Sequence, residues 1–114
     1  MRFEVMALIA GLATISTANT MTVFTECGPF NMCDSKNAIF YTDTGIYSVN
    51  ANKGCRGTRV PGMTEFCVDW DKFRGHFKYS HQTKKRCLLM RSRTTHACPA
   101  YRCDKSDWEE VGCT

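Results

Sequence analysis

The stretch TEFCVDWDKFRGHFKYSHQTKKRCLLM, Thr64–Met90, decides how the chain is read. Phe66, Val68 and Trp70 alternate with Glu65, Cys67 and Asp69, which is the period-2 pattern of a strand with one buried face. Phe66, Trp70 and Phe73 also recur at helical spacing, with Gly75 as a stop signal. The residues that follow favour the strand. DKFRG supplies a turn, and in His76–Ser80 the apolar Phe77 and Tyr79 alternate with His76, Lys78 and Ser80. A second turn, HQTK, leads to Arg86–Arg91, where Cys87 and Leu89 face one side and Arg86, Leu88 and Met90 the other.

Working outward, Ala38–Thr42 and Ile46–Val49 are β-formers on either side of Asp43-Thr44-Gly45, a hairpin loop that places Gly45 in the left-handed position. NANKGCRGTRVPG, Asn50–Gly62, reads as loop, with Arg59-Val60 at most a short edge segment. Towards the end, Ala100–Cys103 and Trp108–Val111 read as strands separated by a turn at DKSD, Asp104–Asp107. Six to eight short strands with turns between them predict a small all-β or β-rich domain, a disulfide-stabilised antiparallel sandwich or barrel. No internal repeat or low-complexity block divides it, so residues 19–114 read as one domain.

Residues 1–18 read as a secretory signal peptide: Arg2 precedes the apolar run Val5–Ile15, and Ser16-Thr17-Ala18 offers small residues for a cut before Asn19. That run is about half the length of a bilayer-spanning helix, and no later stretch is longer, so no transmembrane span is expected. All eight cysteines lie beyond it: Cys27, Cys33, Cys55, Cys67, Cys87, Cys98, Cys103 and Cys113. An even number of cysteines in an oxidising compartment predicts four bridges, and 105 pairings are open. A domain this small buries a modest core, and bridges worth about 2–4 kcal/mol each stabilise it.

Charge is partitioned along the chain. The net charge of +4 divides into −2 over residues 19–71, +9 over residues 72–102 and −3 from Cys103 onward. Lys78, Lys84, Lys85, Arg86, Arg91 and Arg93 are therefore the candidate binding residues, for a host protein or an anionic surface. Asp107, Glu109 and Glu110 are expected opposite Lys84, Lys85 and Arg86 on a neighbouring strand. The inward-facing aromatics and the lack of any RNA-binding signature argue against nucleic acid.

Other readings are weaker. Cys67, His76, His81 and Cys87 form C-x8-H-x4-H-x5-C, but the tight paired-cysteine knuckle of a zinc site is missing, so no metal and no cofactor is expected. His76, His81 and His96 with Lys85 or Arg91 supply the residue types for phosphodiester cleavage. The C-K-x-x-N-T-F motif of pancreatic-type ribonucleases is absent, however, as are G-x-S-x-G and H-E-x-x-H. No catalytic residue is assigned. Lys84-Lys85-Arg86 is too short to serve as a nuclear address in a chain with a signal peptide. Trp70, Trp108, Tyr41 and Tyr47 alternate with polar residues as core aromatics do, which argues against chitin binding.

With its signal peptide, its short mature region and its even cysteine set, and in the phrases FCVDWDKFRGHFKYS, KKRCLLM and YRCDKSDWEEVGCT, the chain resembles the small secreted cysteine-rich effector proteins of plant-associated fungi. The resemblance implies a β-rich, disulfide-tied, non-enzymatic monomer. It would modulate host immunity or cell death from the host apoplast or after uptake into host cells. The alternative is a secreted antimicrobial or killer-toxin-like protein whose basic stripe acts on anionic membranes.

Overall fold

A computed structural model of the chain describes residues 19–113; the segment read as a signal peptide lies outside them. Eight strands follow one another: β1 (Thr20–Cys27), β2 (Cys33–Thr42), β3 (Gly45–Val49), β4 (Gly54–Arg56), β5 (Met63–Asp69), β6 (Arg74–Tyr79), β7 (Arg86–His96) and β8 (Arg102–Val111). A short 3-10 turn, Pro29–Asn31, sits between β1 and β2. All the strands belong to one antiparallel sheet in the order β3-β2-β1-β8-β7-β6-β5-β4. The chain is all-β, and the strand reading of Thr64–Trp70 holds over the helical one.

Connectivity forces this sheet to curl. Laid flat, eight strands would be roughly 34 Å wide. Yet the two edge strands, β3 and β4, are joined directly by residues 50–53, a connection that reaches about 18 Å at most. The edges therefore approach each other and the sheet becomes a half-barrel. The joining loop is tied in place by backbone-directed bonds. Arg56 Nη1 donates to the carbonyls of Asn50 (2.9 Å) and Asn52 (2.6 Å), and Trp70 Nε1 donates to Ala51 O at 2.9 Å.

Curling brings β2 against β5 and β6 across the interior. The Phe40 ring meets Phe66 and Phe77 edge-on, at 6.1 and 5.1 Å between centroids, and Met21, Val23, Leu88 and Trp108 complete the buried centre. Such aromatic pairs contribute about 0.5–1.5 kcal/mol each beyond the area they bury. Gly75 is required on β6 beside β5, because a Cβ there would lie 2.8 Å from the Cys67 carbonyl oxygen.

The interior changes character along the strands. Towards the β1–β2 and β7–β8 turns the inward positions become Thr25, Ser35, Asp104 and Ser106, all buried. Each has a partner: Thr25 and Ser35 share a hydrogen bond, Trp108 Nε1 donates to Ser106 Oγ, and Asp104 accepts from Arg93 and Thr95. Pairing of this kind is what makes polar burial tolerable.

The four bridges are Cys27–Cys33, Cys55–Cys67, Cys87–Cys113 and Cys98–Cys103, and they belong in an oxidising environment. Three local expectations need correction. Asp104–Asp107 is strand and not turn, because Asp104 and Ser106 find buried partners while Lys105 and Asp107 face solvent. Cys55 lies in a strand within the expected loop, whereas Arg59-Val60 forms none and Val60 packs in the core. The β2–β3 turn forms where expected, but Gly45 does not take a left-handed conformation; Thr42 Oγ1 closes the turn by accepting from the Thr44 and Gly45 amides.

Candidate functional site

Strand register builds a groove on the outer face of the sheet. Cys55, Cys67, His76, Cys87 and Val111 stand in one row across β4, β5, β6, β7 and β8, each paired with the next. Asp69, Arg74 and Leu89 stand in a parallel row two residues along. Two bridges, Cys55–Cys67 and Cys87–Cys113, rise from this surface as walls. Between them lies a cavity of about 640 Å³ whose apolar lining includes Leu89 and Val111 and whose polar lining includes Lys53, Asp69, Arg74 and His76. That volume falls within the range of small-ligand and side-chain pockets.

On the far side of the His76 row stands Glu65. Its carboxylate lies 2.6 Å from His76 Nε2, and this hydrogen bond holds the carboxyl below its ordinary range, with the charges of Lys85 and Lys78 adding to the effect. Desolvation opposes the shift without overcoming it. Glu65, His76, Lys78 and Lys85 thus form a single electrostatic group at the groove's rim.

The six candidate cations separate into two sets. Lys78, Lys84 and Lys85 make no ion pair among the described residues; Lys84 and Lys85 stand exposed in the β6–β7 turn, and Lys78 is half-buried on β6 beside Glu65. Arg86, Arg91 and Arg93 are instead committed to the acidic strand β8. Arg86 turns inward, binds Glu110 through two nitrogens (2.7 and 2.8 Å) and lies over the Phe77 ring at 5.2 Å. Arg91 pairs with Glu109 at 2.8 Å, and Arg93 with Asp104 at 2.7 Å. Of the cross-strand pairs expected from charge, Arg86 with Glu110 forms, while Asp107 binds Thr22 and Ser92. The difference has a geometric cause. Arg86 alternates onto the face of Phe77, whereas Lys84 and Lys85 precede the strand and have no opposite residue.

Chemically the groove is equipped to bind. The imidazole of His76 is oriented by a carboxylate, all eight cysteines are bridged, and no hydroxyl side chain is among the groove's lining residues. His81 stacks near Tyr79 at 5.4 Å between ring centroids, and His96 is exposed at the end of β7. Of the C-x8-H-x4-H-x5-C residues, Cys67, His76 and Cys87 stand side by side in the groove row, with the two cysteines in different bridges, while His81 lies apart against Tyr79. Among the core-like aromatics, Trp108 is buried, Trp70 and Tyr47 pack partly against the core, and Tyr41 is 37% exposed.

Sequence reasoning missed Glu65, Leu89 and Val111 as site residues. Alternation had placed Cys87 and Leu89 on one face, but only the bridge partners turn that face into a groove. No helix among the described residues is long and apolar enough to cross a membrane. Compared with known proteins, the chain matches no family model, no curated protein and no solved structure.

Proposed function

We propose that this chain is a secreted, non-enzymatic effector that binds a host protein through the outer-face groove. The single observation carrying this reading is a largely apolar cavity between two bridges, whose His76 leads through Glu65 to Lys78 and Lys85, two lysines that make no ion pair among the described residues. Such a site suits a segment that presents an apolar side chain next to carboxylates: the cavity takes the apolar part, and Lys78, Lys84 and Lys85 take the charges. Rigid bridges on both sides reduce the ordering cost of binding. Complementary charge accelerates encounter and selects partners, and its effect weakens with salt.

The test is a pull-down from host tissue extract with the mature chain and with a Lys78→Glu, Lys84→Glu, Lys85→Glu variant. The triple variant is expected to lose the captured partner, while Arg91→Glu, whose charge is already engaged by Glu109, keeps it. Identical capture by the wild type and the triple variant would remove the groove rim from the account.

One observation favours the alternative of an antimicrobial, membrane-directed protein. At the turn end of the sheet Phe30, Met32 and Tyr101 are 91%, 72% and 79% exposed. Leakage of anionic vesicles or arrest of microbial growth by the mature chain, abolished by Phe30→Ser with Tyr101→Ser, would place the activity there.

A further inference from the structure

Four metal-ligating groups meet at one corner of the groove. The sulfurs of Cys55 and Cys67, a carboxylate oxygen of Glu65 and a ring nitrogen of His76 all lie within 4.8 Å of one another. The register explains this: Cys55 pairs with Cys67 and Cys67 with His76, while Glu65, two residues before Cys67, reaches back over the row. We propose that Cys55, Glu65, Cys67 and His76 are a binding site for a zinc-like divalent ion, made available when a low-molecular-weight thiol reduces the Cys55–Cys67 bridge.

With the bridge closed the sulfurs carry no thiolate, and the site is locked. Reduction consumes two thiols and yields one external disulfide plus two cysteine thiols. The ion then binds both as thiolates and releases their two protons. Two thiolates, an imidazole and a carboxylate are a donor set that suits zinc in tetrahedral geometry. Zinc–sulfur bonds of about 2.3 Å put ligand atoms about 3.7 Å apart, so the four groups need shifts of only about 1 Å. The ion takes the place of the hydrogen now between His76 Nε2 and Glu65, and the neutral imidazole then carries its hydrogen on Nδ1. Three anionic ligands and a divalent ion leave a net charge of −1, and Lys78 and Lys85, which already act on Glu65, offset it. Cys55 is exposed on the three-residue edge strand β4, where an external thiol reaches it.

The site shares His76 with the groove but does not depend on partner binding. The experiment uses Cys55→Ser, which frees Cys67 without any reductant and leaves three bridges in place. Titrated with Co2+ alone, this variant is expected to show the thiolate-to-cobalt charge-transfer band, with affinity falling at least tenfold on adding His76→Ala and less on adding Glu65→Gln. Wild-type chain should lack the band when oxidised. Once peptide mapping shows Cys55 and Cys67 reduced, it should bind one ion with about twice the band intensity. Absence of the band in Cys55→Ser, or equal affinity with and without His76, overturns the proposal. So does a reduced wild type that retains no ion.

Discussion

The two ends of this sheet are built on opposite principles. Around Phe40, Phe66, Phe77 and Trp108 the curled faces press apolar side chains together, and the fold is held by area removed from water. Towards the β1–β2 and β7–β8 turns the same inward positions carry Thr25, Ser35, Asp104 and Cys27. There the strands are held by two short bridges, Cys27–Cys33 and Cys98–Cys103, and by a charged network centred on Asp104. β1 and β8 run through both ends without interruption. A strand thus changes from core to crosslink within ten residues, and what changes is the chemistry of alternate side chains, not the backbone.

Phe40→Ala is the most damaging change expected, because the ring touches two strands across the interior. It should cost about 3–5 kcal/mol in urea unfolding and loosen both ends together. If only the core end loosens, the two ends are independent folding units and the contrast is sharper than drawn.

Replacing Cys98 and Cys103 by serine removes a crosslink between positions five apart in sequence and should cost about 2 kcal/mol. Amide exchange ought to rise over Thr94–Arg102 and stay slow in β5 and β6. Equal acceleration in both regions would break the comparison.

Asp104→Asn is the smallest, about 1.5 kcal/mol, since an amide oxygen still accepts one bond. Burial raises the pKa of Asp104, but hydrogen bonds from Arg93 and Thr95 and the charges of Arg93 and Arg102 outweigh it and hold the carboxyl below its ordinary value. Its contribution is therefore complete above the ordinary aspartate range, about 3.9, and is lost as pH falls through the lower folded value. The Asn variant should show a flatter loss of stability below about pH 4. An unchanged acid profile would move that role to another carboxylate.

Much of the fold could be read from side-chain alternation. Phe77 and Tyr79 against His76 and Lys78 identified β6, its face and its turns, since a period of two needs no knowledge of the neighbours. Asp104-Lys105-Ser106-Asp107 misled because turn composition and a polar-lined strand look alike until Arg93 and Thr95 are known to stand opposite. The basic cluster was half legible. Its charge and its place at a turn were plain, but three of its six members proved to be partners of β8, which depends on register.

By itself the sequence determined an all-β chain, the faces of its central hairpins, four bridges and a segregated charge pattern, all of which follow from local periodicity, residue chemistry and count. Tertiary structure alone decided which cysteines meet, which cations are paired with β8, and that Glu65 and His76 share one corner with Cys55 and Cys67. Those are contacts between neighbouring strands and turns, set by which residues come to stand opposite one another. They follow from hairpin register, and curling of the sheet, compelled by the short connection between its edge strands, adds the contacts of Phe40 with Phe66 and Phe77 across the interior.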